Sequence, residues 1–173
     1  MELKEIAALI RDVPDFPKPG IIFKDITTLT SDAAGFRAVM DIFIDRYKDQ
    51  KIDKIVGIES RGFVFGGALG FELHCGVQLM RKPGKLPADT ISASYELEYG
   101  TATLELHKDA VKPGERVLII DDLLATGGTI EAATELVERL GGQVVELAFV
   151  IELDFLHGRE KTGDRPIFSI LHF

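Results

Sequence analysis

Apolar positions along the chain change period several times, and each change marks a boundary between elements. Leu3, Ile6, Ala7, Leu9 and Ile10 recur at helical spacing and predict a short amphipathic helix. It ends before the stretch VPDFPKPG, where three prolines and a glycine predict an irregular segment leading into the apolar patch Gly20 to Phe23. Phe36, Val39, Met40, Phe43 and Ile44 share one face of a second helix, from about Ala33 to Tyr47, with Asp32 or Ser31 as its cap. Lys54 to Ile58 reads as a buried strand, about Phe63 to His74 as an apolar helix, and Val77 to Met80 as a further strand. Together these make a βαβ unit.

The second half alternates strand and helix signals. Arg81 to Thr90 is basic and rich in Pro and Gly, and it predicts a mobile loop. The run ISASYELEYGTATLELH alternates on both sides of Tyr99-Gly100, as an antiparallel excursion does. The apolar run Val117 to Ile120 follows a turn and predicts a buried strand. A helix from about Thr129 to Leu140 closes at Gly141-Gly142. QVVELAFVIEL then gives a long strand, and PIFSILHF a last one. The pattern predicts an α/β fold with a mainly parallel central sheet flanked by helices.

Composition narrows the function classes. At 173 residues, 46% hydrophobic, the chain is expected to fold as a single domain with a substantial core. Its net charge of -8 argues against nucleic-acid binding, which draws on phosphate neutralisation by Lys and Arg, but leaves room for a local basic cluster around a small anion. Cys75 is the single cysteine, so no intrachain disulfide forms, and a reducing, cytoplasmic setting is expected. No basic segment followed by an apolar core opens the chain. No apolar run approaches the roughly 20 residues that span a bilayer. Neither a secretory signal nor a membrane partner is expected.

The densest chemical signal is Val117 to Ile130, VLIIDDLLATGGTI. In open α/β sheets ligands collect at the carboxyl ends of strands, where Asp121 and Asp122 fall. Gly127 and Gly128 permit close backbone approach, the following helix start offers free N–H groups, and Thr126 and Thr129 add hydroxyl donors. A phosphate fits the turn from Ala125 to Thr129. The aspartates then face a neutral, hydroxyl-bearing part of the same ligand, or a Mg²⁺ shell. The plainer alternative is a helix cap behind a solvated strand end. Other motifs are excluded: no Lys-Ser or Lys-Thr follows the glycines, and G-x-G-x-x-G is absent. Glu59-Ser60-Arg61-Gly62 fails the nucleophile-elbow pattern because Ile58 holds the first glycine's place. His74, His107, His157 and His172 form no catalytic motif either.

VLIIDDLLATGGT resembles the phosphoribosyl pyrophosphate (PRPP) motif of the type I phosphoribosyltransferases. The resemblance implies that Ala125, Thr126, Gly127, Gly128 and Thr129 cradle the 5-phosphate while Asp121 and Asp122 address the ribose hydroxyls. DFPKPGIIFKDIT (Asp15 to Thr27) is similar to the base-binding segment of the branch that uses adenine. GIESRGF, RKPGKLP, SYELEYGTATLELHKDA and GREK also follow that branch's order and spacing, so the similarity runs from about Asp12 to the end. It implies the type I phosphoribosyltransferase fold, with residues 1–30 as a base-binding hood and 82–106 as a flexible catalytic loop and hairpin. The implied reaction transfers the 5-phosphoribosyl group of PRPP to adenine, giving AMP and pyrophosphate.

Roles follow position by position. Phe23, flanked by Ile22 and Lys24, offers an aromatic face of the kind purines stack on, and Leu123 an apolar contact from the other side. Taken alone, Phe23 suits a core equally well. The resemblance adds backbone recognition of the adenine edge around Phe23. Lys24 stands where many relatives carry arginine, and it lacks the planar, bidentate fork. Ser60 and Arg61 fit a pyrophosphate nest, although a solvated arginine in a turn is the simpler alternative. Arg81, Lys82 and Lys85 form a dense basic cluster, either solvated or neutralising the same pyrophosphate. The resemblance implies a homodimer in which Arg81 reaches into the neighbouring site. Glu98 matches the loop glutamate that assists proton transfer, with Glu96 two residues away as its competitor. Glu98, Arg61 and Asp122 are thus the expected catalytic residues. Mg²⁺ is the expected cofactor, held through substrate oxygens and water near Asp121 and by no direct protein ligand. A phosphoribosyltransferase for xanthine or guanine and a non-catalytic PRPP sensor remain as alternatives.

Overall fold

The computed structural model describes residues 1–96 and 100–173. Helix α1 (Leu3–Ala8) buries Ile6 and gives way to β1 (Arg11–Pro14), which pairs antiparallel with β2 (Ile22–Asp25). The proline-rich stretch is therefore less irregular than expected. Its first residues belong to a strand, with Val13 opposite Phe23, and its last ones form the hairpin turn. Pro14 is tolerated because it lies at the end of an edge strand, where no ladder N–H is needed. Asp15 and Gly20 take positive φ values of 56° and 86°, and the Gly20 N–H donates to Asp15 Oδ1 at 2.7 Å.

A short helix, α2 (Thr27–Ser31), is not legible in the sequence because four of its five residues are Thr or Ser, which favour turns and caps. Helix α3 (Ala33–Tyr47) starts at Asp32, whose Oδ1 accepts from the Gly35 N–H at 2.7 Å, whereas Ser31 donates back to Thr28 O at 3.0 Å. Asp32 is the cap. Asp32→Ala should destabilise the fold by about 1 kcal/mol, read as a lower urea midpoint with an unchanged slope. A midpoint equal to the parent's refutes the capping assignment.

The core is a five-stranded sheet. Strand β3 (Lys54–Ile58) passes through α4 (Gly62–Glu72) to β4 (Gly76–Met80). An antiparallel hairpin, β5 (Thr90–Glu96) and β6 (Thr101–His107), then stands apart from the sheet. Strand β7 (Arg116–Leu124) leads through α5 (Gly128–Arg139) to β8 (Gln143–Glu152). Two short 3-10 turns, Asp154–Leu156 and Gly158–Lys161, precede β9 (Ile167–His172). The order is β4-β3-β7-β8-β9, and every neighbouring pair is parallel. Because the sheet is covered on both faces, Val117 to Ile120 are all fully buried. Leu118 and Ile120 pack with Ile6, Val39, Phe43 and Phe65. Val117 and Ile119 pack on the opposite face with Leu104, Leu106, Leu136 and Val137. Helix α4 starts one residue and ends two residues before the expected bounds, and α5 starts and ends one residue before its own, with Leu140 as its C-cap and Gly141 at φ 87° behind it.

This order positions the site. From β3 the chain turns outward to β4, with α4 on one face. From the adjacent β7 it turns the other way to β8, with α5 on the opposite face. The two loops diverge and leave a crevice at the carboxyl ends of β3 and β7, the switch point where α/β sheets hold ligands.

Candidate active site

The crevice contains a cavity of about 290 Å³. From the end of β3 it is lined by Ile58, Glu59 and Arg61; from β7 and the turn behind it by Asp121 to Gly127 and by Thr129. Gly62 lets the two walls meet: a Cβ there would lie 2.6 Å from the Ile120 carbonyl oxygen. Arg61 is thereby brought against Asp122, with its Nε donating to Oδ2 at 2.5 Å. The aspartates, expected at the end of the strand, lie inside β7, which continues to Leu124, and Asp122 is only 3% exposed. Burial, and then the adjacent Asp122 carboxylate, pushes the Asp121 carboxyl well above its ordinary range. Burial alone would lower the Arg61 guanidinium, but Asp122, Asp121 and Asp25 outweigh it and keep the charge.

The turn behind the aspartates has the shape of an anion cradle. Gly127 has φ 85° and serves as N-cap of α5, so the helix opens directly onto the cavity. A Cβ on Gly127 would stand 2.4 Å from Gly158 O, and one on Gly158 would stand 2.2 Å from Ala125 O. The 3-10 turn at Gly158 thus backs the cradle closely. That turn is anchored by Glu152, which accepts from Arg159 Nη2 at 2.7 Å and from Ser169 Oγ at 2.6 Å. Although burial raises the Glu152 carboxyl, these bonds prevail and hold it below its usual range. On the other side Thr129 Oγ1 donates to Tyr95 Oη at 3.1 Å, tying hairpin strand β5 to the start of α5.

Of the expected anion-binding residues, the structure brings Arg61, Lys82, Ala125, Thr126, Gly127 and Thr129 to the cavity. Gly128 packs under Tyr95, where a Cβ would come within 2.9 Å of the ring. Ser60 is exposed in the turn after β3 and does not line the cavity. Arg81 and Lys85 are also outside it, held by Glu59: Arg81 Nε is 3.2 Å from Oε2, and Lys85 Nζ is 3.7 Å from Oε1. On the base side Leu123 lines the cavity and Ile22 is exposed on β2. Phe23 is half-buried, edge-to-face with Phe16 at 5.3 Å and 5.8 Å from the Arg61 guanidinium. The Lys24 ammonium is engaged by Asp12 at 2.7 Å and by the Phe173 ring at 4.1 Å. Glu98 lies outside the described residues.

Three residues that shape the site, Glu59, Tyr95 and Gly158, fall in the family-like segments GIESRGF, SYELEYG and GREK, but nothing local in the sequence assigns them a role. Each acts on a partner more than twenty positions away, so no spacing rule finds them. For a cation, the carboxylates lining the cavity are those of Glu59, Asp121 and Asp122, of which Glu59 is engaged by the Lys82 N–H and Arg81 and Asp122 by Arg61. Among the described residues, Glu152, Asp154 and His172 also approach ligand spacing, with donor atoms within 4.8 Å of one another, but Glu152 is already bound by Arg159 and Ser169. No described helix is long and apolar enough to cross a membrane.

Residues 25–170 match the phosphoribosyl transferase domain family. The adenine phosphoribosyltransferase of Chloroflexus aurantiacus is 58% identical over all of this chain and all of that protein. Among solved structures, the adenine phosphoribosyltransferase of Thermoanaerobacter pseudethanolicus superposes with a TM-score of 0.96 at 52% identity, covering 99% of this chain and 100% of that one. That of Saccharomyces cerevisiae, complexed with adenine and an imino-altritol bisphosphate, gives 0.92 at 42% identity over 98% of each chain. The chain belongs to the phosphoribosyltransferase family.

Proposed function

We propose that this protein is a purine-salvage enzyme that transfers the 5-phosphoribosyl group of PRPP to adenine, releasing pyrophosphate and forming AMP. The observation that carries the reading is the placement of two carboxylates, an arginine and an open helix start around one cavity at the sheet's switch point. That is the donor set for a ligand with hydroxyls in the middle and phosphates at both ends. The 5-phosphate takes the N–H groups and hydroxyls of Ala125 to Thr129, and the ribose hydroxyls donate to Asp121 and Asp122. The pyrophosphate meets Arg61 and Lys82, with Ser60 and Lys85 beside them and an arginine in the Arg81 position supplied across a subunit interface.

In the reaction the bond from C1 to pyrophosphate breaks, a bond from the adenine ring nitrogen to C1 forms, and that nitrogen loses its proton. Arg61, fixed by Asp122, stabilises the charge that builds on the leaving pyrophosphate. Glu98 assists the proton transfer. Phe23 supplies the stacking face, Leu123 an opposing apolar contact, and the backbone from Ile22 to Lys24 reads the adenine edge. Residues 1–30 serve as the base-binding hood and 82–106 as the catalytic loop and hairpin of a single domain. Closure of the loop excludes water that would hydrolyse PRPP.

The oxygen donors Asp121 and Asp122 suit Mg²⁺, a hard cation that keeps waters and substrate oxygens in its shell. A cation there would also oppose the crowding of the two carboxylates. When bound, the metal neutralises charge on the pyrophosphate. Exposed apolar side chains at Val64, Phe71 and Leu79 support a homodimer, in which Arg81, outside its own cavity, serves the partner's site. A cytoplasmic setting is consistent with the lone, reduced Cys75.

Incubation with PRPP, Mg²⁺ and each of adenine, guanine, hypoxanthine and xanthine tests the reading. AMP from adenine, with turnover at least about a hundredfold below it on the other bases, is the expected outcome, since a site that hydrogen-bonds one base edge leaves polar groups unpaired against the wrong base. Absence of AMP ends the adenine reading. PRPP binding without turnover on any base makes the protein a sensor.

A further inference from the structure

Glu59 is out of place in a site for polyanions. It lines the cavity beside Arg61 and Lys82, its side chain is 11% exposed, and a carboxylate there repels an approaching pyrophosphate. Its bonds show what opposes that repulsion. Oε2 accepts from the main-chain N–H of Lys82 at 2.9 Å and from Arg81 Nε at 3.2 Å, while Oε1 faces Lys85 Nζ at 3.7 Å. The segment so held, residues 82–89, has no helix or strand and contains Pro83, Gly84 and Pro87. Its other attachments run along β6 and just past it: Arg81 pairs with Glu105 through two main-chain bonds of 2.7 and 2.9 Å, Gly84 N–H donates to Glu105 Oε2 at 3.0 Å, Ala88 N–H donates to His107 Nε2 at 3.3 Å, and Lys108 N–H donates to Asp89 O at 2.9 Å. Burial raises the Glu59 carboxyl, but the Lys82 N–H, Arg81 and Lys85 prevail and keep it below its usual range, so the anchor is ionised.

We propose that Glu59 is a positioning residue of the pyrophosphate subsite: its carboxylate fixes the main chain at Lys82 and the side chains of Arg81 and Lys85, so that the basic segment is ordered before PRPP arrives. The idea rests on the PRPP-binding reading above and deepens it. Without the anchor, the Lys82 main chain and the Arg81 and Lys85 side chains lose their hold on the cavity side while the attachments to β6 remain, so the ligand must order them and binding weakens by that entropy. With it, Lys82 stands at the cavity and the repulsion from Glu59 is offset by the cations it holds.

Calorimetric titration of the full-length protein with inorganic pyrophosphate in Mg²⁺ buffer, together with steady-state kinetics, separates the possibilities. Glu59→Ala should weaken pyrophosphate binding and raise the KM for PRPP roughly tenfold, the scale of a hydrogen bond to a charged group. The KM for adenine should hold within about twofold. Glu59→Gln keeps an oxygen that accepts from the Lys82 N–H, and it should stay within about threefold of the parent although the charge is gone. Pyrophosphate binding in Glu59→Ala as tight as the parent's, or tighter, overturns the proposal, as does a Gln variant no better than Ala. If Glu59→Ala does not fold, Glu59→Gln decides on the same threefold criterion. The titration needs neither base nor turnover. A parent protein that binds pyrophosphate yet makes no AMP defeats the adenine reading and leaves the role of Glu59 standing.

Discussion

Gly127→Ala should lower kcat/KM for PRPP by at least about a hundredfold, although it adds a single methyl group. Two independent effects act at this residue. Its φ of 85° lies in the left-handed region, where an L side chain costs roughly 1–2 kcal/mol. Its Cβ would also stand 2.4 Å from Gly158 O, which is backbone and has no rotamer to yield. Relief requires the cradle to move away from the 3-10 turn at Gly158. That turn is held by Arg159 and Ser169 on Glu152, so the cradle itself must give way. The N–H groups from Ala125 to Thr129 then lose their common focus, and phosphate binding falls with them. Gly67→Ala is the control: it lies in α4 with nothing within 4 Å of where the added methyl would sit and no positive φ, so it should be neutral or slightly stabilising. Equal kcat/KM for PRPP in Gly127→Ala and the parent would remove the cradle from the site.

The contrast between these two glycines shows what is legible in the sequence. Runs with a clean period give their elements: Lys54 to Ile58, Val117 to Ile120, the α3 face, and the alternation within residues 91–96 and 101–107. Local chemistry points to the candidate cradle, because a turn of that shape is built from neighbouring residues. What distance brings together is not legible. Glu59 meets Lys82, Thr129 meets Tyr95 and Gly127 meets Gly158 only after β3, β5 and the C-terminal turns have packed around β7. The first hairpin escapes a sequence reading for a different reason. Four-residue strands offer too few alternations to register, and the prolines around them read as breakers. The cluster Arg81, Lys82 and Lys85 is legible as charge but not as placement, since Glu59, which lines the cavity, holds Arg81 and Lys85 at its edge while Lys82 alone of the three lines it.

Asp121→Asn should produce a protein that is more stable at alkaline pH and far less active. The Asp121 carboxyl is pushed well above its ordinary value of 3.8, first by burial and then by the neighbouring Asp122. In the unfolded chain that value returns, so over the interval between the two the folded state holds a proton that the unfolded state has lost. The favourable contribution is complete below the ordinary value and is lost as pH rises through the raised one. An asparagine has no such titration. The stability advantage of the variant should therefore grow as the buffer moves from about pH 5 to about pH 8, read from urea midpoints at each step. The proposed function needs the opposite form: ribose hydroxyls and a Mg²⁺ shell, if Asp121 meets them as proposed, call for an ionised acceptor, and an amide supplies one neutral oxygen in its place. The loss in kcat/KM for PRPP should be on the order of a hundredfold, as expected when an acceptor loses charge in a pair of hydrogen bonds. A midpoint difference that stays flat across this range would refute the raised carboxyl. Retained PRPP efficiency would separate Asp121 from the ribose. The expected rise in the variant's stability advantage with pH and the expected loss of activity together describe a site kept strained in the free protein because its ligand relieves the strain, the usual trade between stability and activity at a functional centre.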